Sequence, residues 1–534
     1  MCNQPHAETS QTILRVNLYI YFPKAERMNT SNPTHLDLQA TARQIMLQNG
    51  FEPDFPDGVP QQLAAIRANP PSLSAANGVR DLRSLLWSSI DNDTSKDLDQ
   101  IEVAARQTDG SVKVMVGIAD VDAFVAKGTP IDQHAARETT TVYTGVCNFS
   151  MLPDELSTGA SSLLPDVDRP AIVIEFVVDA SGAIKSSDVY RAIVRNKAQL
   201  TYNAVGAWLE ATGAAPPKVA TSADLQAQLK LQDQAAQALK KLRYENGALN
   251  IDTEEVHPVV LNQQVVDVVR QQKNRATELI EDFMIAANGV VARLLEKVSS
   301  LRRIVKTPEK WDGIVRLAAA AGETLPAQAD SKALNDFLLK RKAADPDHFA
   351  DLSLAVIKLM GPGQYVLERP GDPEQGHFGL AVQDYTHSTA PNRRFADVVT
   401  QRLIKALLDK ETLDKAMLDK ETLDGKPGPY SGPYSDAELA AIATNCTQKG
   451  DAARKVEREM TKRLSAVAMS HRVGEMFDAM VTGVTPKGTF VRVLQPHVEG
   501  LLAQGAQGLH VGDKVRVKLT RTDVQHGYID FAKG

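Results

Sequence analysis

The stretch Ser89-Ile90-Asp91-Asn92-Asp93-Thr94-Ser95-Lys96-Asp97-Leu98-Asp99-Gln100-Ile101-Glu102 constrains this chain more than any other. It carries five acids in fourteen residues and runs straight into an apolar, strand-like segment. Residues 91 to 95 are Asp, Asn, Asp, Thr and Ser, whose side chains bond nearby backbone and so favour turns over helix. Asp91, Asp97 and Asp99 are therefore expected to project from a loop toward one point. Carboxylates held close together repel unless a cation sits among them, and hard oxygen donors suit Mg2+ or Mn2+. Such clusters hold the ion pairs that cleave phosphodiesters, one ion activating water and the other steadying the leaving oxygen.

Two other readings of the stretch stay open. One is a solvated acidic loop. The other is an EF-hand calcium loop, since acids or Ser at 91, 93, 95, 97 and 99 with Glu102 closing match that spacing. Lys96 stands where a calcium loop needs Gly for its sharp turn, which counts against calcium. The sequence from Ile101 to Asp122 also reads as strand, turn and strand, not as an exiting helix.

Length and composition set outer bounds. A chain of 534 residues holds three or four domains, and 43% hydrophobic with 24% charged residues is ordinary for a folded protein. No apolar run reaches the roughly 18 residues of a membrane span, and the N-terminus lacks a signal-peptide pattern. Cys2, Cys147 and Cys446 are scattered and odd in number, which excludes a disulfide framework and zinc spacing and suits a reducing cytoplasm. The formal net charge of -6 does not advertise a nucleic-acid binder, yet from Gly450 onward basic residues are in surplus by about four.

Along the chain, residues 1 to 30 read as a disordered or accessory extension, within which Met28 is a second candidate start. Residues 31–75 carry two short helical patterns, one from Thr34 to about Asn49 and one from Val59 to Ala68, stopped by Asn69-Pro-Pro71. They suit a helix-turn-helix or winged-helix module, or equally a helical docking appendage. Residues 76–470 form a large α/β region. Its expected elements include a hairpin over Pro170–Tyr190, helices over Ala204–Ala211 and Thr221–Tyr244, an edge strand over Gly247–Asp252, and a helix over Thr277–Lys297. A strand is expected over His377–Val382. Leu408-Asp-Lys-Glu-Thr-Leu-Asp414 recurs at Leu418–Asp424, and Gly-Pro-Tyr-Ser is written twice, at 428–431 and 432–435. These tandem copies mark 408–435 as a surface insertion on which the core does not depend. From 474 to 534, five short strands with Gly turns predict a small OB-fold barrel. Phe490 is a base-stacking candidate on its face, near Lys487, Arg492, Lys514 and Arg516, or else a core residue. The fold class expected is α+β and multidomain.

Six motifs carry a family resemblance. Ile90-Asp-(five residues)-Asp97-Leu-Asp99 resembles the catalytic signature of the ribonuclease II/R (RNB-domain) exoribonucleases. So do Met151-Leu-Pro-Asp-Glu-Leu-Ser, Ala198-Gln-Leu-Thr-Tyr202, Leu279-Ile-Glu-Asp-Phe-Met-Ile-Ala-Ala-Asn288 and His377-Phe-Gly-Leu-Ala. The run from Tyr385 to Arg402 is similar to the family's Tyr-x-His-x-Thr-Ser-Pro-Ile-Arg-Arg-Tyr. They fall in the family's order, and the terminal barrel matches the OB domain that follows there. The resemblance implies processive, Mg2+-dependent hydrolysis of single-stranded RNA from a free 3′ end, releasing nucleoside 5′-monophosphates, by a cytoplasmic monomer.

It also implies roles. Asp91, Asp97 and Asp99 hold metal against the scissile phosphate, and Arg393, matching the first family arginine, neutralises the transition state. Arg394 is a phosphate or structural contact. Tyr143 and Tyr202 match tyrosines that stack on or pin the terminal nucleotides, a contact that tolerates any base. Glu281 or Asp282 accepts a ribose hydroxyl. Glu457 matches an RNA-contacting glutamate, though a salt-bridged helix face explains it equally well. Gln100 replaces a fourth aspartate and offers a metal only a neutral oxygen. Asn392, Phe395 and Gln401 also depart from the pattern, and Ile251 stands where some members place a stacking aromatic. About eighty N-terminal residues of helical spacing cannot encode the family's usual pair of cold-shock barrels. The competing function is an RNA-binding protein of the same fold whose catalysis is weakened through Gln100.

Overall fold

A computed structural model describes residues 37–75, 78–251, 255–261, 264–271, 273–373, 375–418 and 432–534. The expected N-terminal extension, the second copy of the heptapeptide after its first residue and the first Gly-Pro-Tyr-Ser lie outside these. Residues 38–534 form one compact unit.

Helices α1 (Leu38–Gln48) and α2 (Val59–Ala68) open it, followed by β1 (Arg80–Asp81), β2 (Ser88–Asp91), β3 (Gln100–Arg106), β4 (Val112–Ala119), α3 (Pro130–Glu138), β5 (Val142–Tyr143) and β6 (Asn148–Phe149). Then come β7 (Asp168–Val178), β8 (Ile184–Arg195), β9 (Ala198–Thr201), α4 (Tyr202–Leu209), α5 (Pro217–Ala220), α6 (Ala223–Glu245), β10 (Glu255–Leu261), β11 (Gln264–Gln271) and α7 (Arg275–Leu294). The second half holds β12 (Ser300–Ile304), α8 (Trp311–Ala320), α9 (Ser331–Ala344), α10 (Phe349–Met360), β13 (Gln364–Glu368), α11 (Phe395–Leu418) and α12 (Asp436–Ser470).

A seven-stranded mixed sheet, ordered β1-β8-β7-β4-β3-β2-β9, is the scaffold. Its core strands are apolar on both faces, so both are covered. Ile90, Val114, Val116, Ile172 and Ile174 pack toward α6 and α7, where Phe283 meets Phe176 edge-on with ring centres 6.1 Å apart. Trp87, Leu98, Ile101, Val103 and Val173 pack on the other face. β2 pairs with β9 in parallel, Asp91 opposite Thr201, which brings Tyr202 at the head of α4 beside the end of β2. The last strands, β14 (Met476–Thr485), β15 (Gly488–Val493), β16 (Val498–Gln504), β17 (Lys514–Asp523) and β18 (Tyr528–Lys533), close the expected barrel.

The N-terminal region is helical, but its two helices are seated on different parts of the protein. Ala42, Ile45 and Met46 of α1 share an apolar cluster with α12 and the barrel, while Val59 and Leu63 of α2 join the main core beside Ile131 of α3.

Three local expectations are corrected. Residues 247–251 form no strand: Gly247 has φ +96°, and a Cβ there would lie 2.8 Å from the Lys332 nitrogen, so the chain turns sharply under α9. His377–Val382 is a single 3-10 turn over Phe378–Leu380, with Ala381 at φ +51°. The duplicated region is not simply an excursion. α11 runs through the first heptapeptide copy to Leu418, its Leu, Lys and Glu being good helix formers. In the second Gly-Pro-Tyr-Ser, Tyr434 is 8% exposed and its hydroxyl accepts from Arg402 Nη1 at 2.6 Å. Ser435 caps α12 in a reciprocal box with Glu438.

Candidate active site

The loop between β2 and β3 forms as its composition dictates. Asp91 Oδ1 accepts from the Asn92 N–H at 2.7 Å and the Ser95 hydroxyl at 2.9 Å, and Asp93 accepts from Asn203 Nδ2 at 2.8 Å. Ser162 pins the far end, accepting from Leu98 N at 3.0 Å and donating to Lys96 O at 2.7 Å. Leu98, 1% exposed, is buried in the core between Asp97 and Asp99.

The turn carrying Arg393 is brought to this loop from the other half of the chain. Thr141 N donates to Arg393 O at 3.0 Å and Phe395 N to Thr139 O at 2.8 Å, fastening the turn to the segment leading into β5. Asn392 N donates to Asp99 Oδ1 at 2.8 Å, and Arg393 Nε lies 3.3 Å from Asp99 Oδ2, across 294 residues of sequence. Tyr143, 39% exposed, donates its hydroxyl to Asp97 Oδ2 at 3.1 Å, while its N–H donates to Glu457 Oε1 of α12 at 3.2 Å. Two sets of direct contacts result, Asp99 with Arg393 and Asp97 with Tyr143 and Glu457, near enough that Asp97 acts electrostatically on Asp99 and Arg393 on Tyr143. Asp91 and Tyr202 lie near enough that the Arg393 charge acts on both.

The electrostatics follow from burial. Asp99 is 2% exposed, and loss of water pushes its carboxyl up to about 7; Arg393 and the Asn392 N–H pull it back only in part, and Asp97 adds to the rise. Burial also raises Asp91, against its bonds to Asn92 and Ser95. Burial raises the Tyr143 and Tyr202 hydroxyls too, with Asp97 the next cause for Tyr143 and Asp91 for Tyr202. A divalent cation would relieve this crowding, and the donors are the hard oxygens it prefers. As the side chains stand, no three His, Cys, Asp or Glu among the described residues are close enough to clasp an ion. Arg393 and the Tyr143 hydroxyl take up oxygens of Asp99 and Asp97, so the donor chemistry fits a metal while gripping one requires the carboxylates to rotate. Gln100, buried at the head of β3, supplies no charge.

Other expected site residues fall elsewhere. Asp282 is 2% exposed and bonded to Arg243 Nη2 at 2.6 Å, with burial raising it to about 6. It faces α6 inside the core, which withdraws it from contact with a ribose. Glu281 is partly exposed, paired with Lys273 at 2.8 Å. Arg394 makes two bonds to Asp397, at 2.8 and 2.7 Å. Phe490 points outward on β15, where Val491 and Val493 take the core positions, so the core reading is set aside. Its neighbour Arg492 is 3.5 Å from Asp351.

Sequence reasoning missed the supports. Asn392 accepts the Ser161 hydroxyl at 2.6 Å, so this departure from the family pattern has its own buried partner. Glu102 is fully buried, neither carboxyl oxygen has a partner, and burial raises it well above the usual range, with Asp91 adding. Its place in an apolar strand was legible; its isolation was not.

Residues 79–410 match the RNB domain, and residues 475–533 match the C-terminal S1 domain of RNase II-type exonucleases. The chain belongs to the RNB-domain family. Among its relatives, Ribonuclease R of Escherichia coli (strain K12) is 29% identical over 505 residues, covering 90% of this chain and 60% of that protein. The chain therefore spans about three-fifths of that relative's length. Mycoplasma genitalium RNase R, solved in apo form and in complex with ribose-methylated single-stranded RNA, has the same fold. Those two structures are 23% and 22% identical, with a TM-score of 0.78 over 93% of this chain and 78% of that one. Yeast Ssd1, described as a pseudonuclease, shares the fold at TM-score 0.65 and 18% identity, covering 92% of this chain and 58% of that one.

Proposed function

We propose that this chain is a processive, hydrolytic 3′-to-5′ exoribonuclease that shortens single-stranded RNA from a free 3′ end and releases nucleoside 5′-monophosphates, acting as a cytoplasmic monomer. Residues 76–470 form the catalytic domain and 474–534 the RNA-binding barrel, with 31–75 guiding RNA. The observation that carries the reading is the contact of Arg393 with Asp99 across the chain, with Tyr143 on Asp97 beside it.

Asp91, Asp97 and Asp99 are the residues that hold Mg2+ or Mn2+, with Gln100 as a weak neutral donor. Bound there, a metal would supply water activation and charge stabilisation at the phosphorus. Arg393, whose side chain is 45% exposed, presents a planar fork of donors to the transferring phosphate beside the carboxylates. The exposed ring of Tyr143 stacks on a terminal base without reading its identity, with Tyr202 pinning the neighbouring nucleotide. Glu457 fixes the Tyr143 backbone. Glu281 accepts a ribose hydroxyl, and Phe490 offers a stacking face on the barrel.

End-labelled single-stranded RNA with Mg2+ tests this. Stepwise shortening with release of 5′-monophosphates supports it; internal cuts or 3′-monophosphates overturn it. One feature favours a second reading, a catalytically weakened RNA-binding protein: Gln100 removes one acid from the site, and a pseudonuclease shares the fold. RNA binding without shortening, with activity appearing only in Gln100→Asp, selects that reading.

A further inference from the structure

Behind the Arg393 turn lies a cavity of about 240 Å³ that the catalytic chemistry does not use. Arg303 of β12, Arg394 and Arg454 of α12 line it, with Thr140, Thr447 and Glu457. Three guanidiniums around one small space is an unusual concentration of charge, and their counter-ions are unevenly shared. Asp397 is committed to Arg394 through two bonds and to the Ala390 N–H at 2.8 Å. Arg454, at the exposed rim, is paired with Asp451 one turn back on the same helix. Glu457 directs Oε1 to the Tyr143 N–H.

Arg303 is left with no carboxylate among the described residues. Its guanidinium lies over the Tyr365 ring, 4.9 Å from the centroid. The bare backbone of Gly363 leaves room for it, since a Cβ there would come within 2.5 Å of Arg303 Nη2. Burial lowers Arg303 from its ordinary value, and the charges of Arg454 and Arg394 lower it further. A half-buried cation without a counter-charge is costly unless something anionic completes its surroundings. The space is smaller than the roughly 300–1,000 Å³ of pockets that enclose a whole small molecule, so it suits one anionic group. Guanidinium forks and threonine hydroxyls are donors suited to phosphate oxygens.

We propose that this cavity is a phosphate-binding site, separate from the catalytic carboxylates, in which Arg303, Arg394 and Arg454 hold a single phosphate group. The group comes either from the RNA backbone or from a free monophosphate. The RNA source rests on the exoribonuclease reading; the free-anion source does not.

The test uses the full chain without divalent metal. Inorganic phosphate is titrated calorimetrically into wild type, Arg303→Met, Arg303→Lys, Arg454→Met and Arg393→Met. Wild type is expected to bind saturably, with Arg303→Met and Arg454→Met weakened about tenfold or more by loss of a charge-assisted contact. Arg303→Lys should be intermediate, and Arg393→Met close to wild type. In a second arm, binding is measured for RNA oligonucleotides that carry one neutral methylphosphonate at successive linkages. A linkage that weakens wild type but not Arg303→Met identifies the RNA backbone as the source. Arg303-dependent binding of free phosphate with no such linkage identifies a free monophosphate. Should neither arm respond to Arg303, or should phosphate binding be lost only in Arg393→Met, the proposal is overturned. If Arg303→Met does not fold, Arg303→Lys and the rim variant Arg454→Met carry the same comparisons. Neither arm reads RNA shortening, so failure here leaves the exonuclease reading intact, and failure there leaves the inorganic-phosphate arm valid.

Discussion

Replacing Asp99 by Asn separates what the carboxylate costs the fold from what it gives the site. In the metal-free protein burial lifts this carboxyl from 3.8 to about 7. The folded state then holds a proton that the unfolded chain releases, so stability is fully present below pH 3.8 and is lost as pH rises toward 7. A shift of about three units corresponds to about 4 kcal/mol at 1.36 kcal/mol per unit, an order-of-magnitude figure. Asn keeps the bond from the Asn392 N–H and titrates nowhere in this range. Without metal, Asp99→Asn should therefore gain on wild type by up to about 4 kcal/mol between pH 4 and pH 8, read from urea midpoints at matched m-values. Mg2+ must displace the proton, so its stabilisation of wild type should grow with pH up to about 7, and the variant should lose most of that response. Turnover on RNA should fall by about 10² or more in the variant, with RNA affinity little changed. If wild type and variant follow parallel pH profiles in the absence of metal, the burial argument for Asp99 is wrong, and the case for its role as a metal ligand loses its physical basis.

Three further perturbations check other parts of the site. Arg393→Lys keeps a charge but not the planar fork, so kcat should fall about tenfold to a hundredfold with little change in KM; an equal loss in both kcat and kcat/KM without a KM change is the signature, measured by steady-state kinetics. Tyr143→Ala removes an exposed ring and should weaken single-stranded RNA by about 1–3 kcal/mol, while Tyr143→Phe keeps affinity and loses only the hydroxyl on Asp97; fluorescence anisotropy without metal distinguishes them. Tyr434→Phe removes a buried partner of Arg402 and should lower unfolding free energy by about 1–3 kcal/mol in urea melts, whereas a dispensable surface insertion predicts no change.

Much of the framework was readable from residue order because it rests on short-range chemistry. The Asp91–Ser95 turn, the helix over Val59–Ala68, the β7–β8 hairpin and the five barrel strands follow from turn residues, helical spacing and alternation, which act over a few residues. The same local reasoning misplaced His377–Val382, whose apolar pattern fits a strand while its backbone closes a tight turn, and it undervalued Tyr434 because repetition resembles dispensability. The acidic loop's turn-forming residues and clustered carboxylates were likewise plain from residue order, with metal-assisted phosphodiester chemistry as one of the readings they allowed. Which partners those carboxylates meet was a different matter. Asp99 meets Arg393 and Asn392, Tyr143 reaches Asp97 and Glu457, Asp282 turns inward to Arg243, and Arg303 lies over Tyr365 with no carboxylate partner among the described residues, only because distant segments pack on one sheet. Sequence spacing encodes local geometry, but a contact across 294 residues depends on how the whole chain buries its apolar faces, and that is settled only when the core closes.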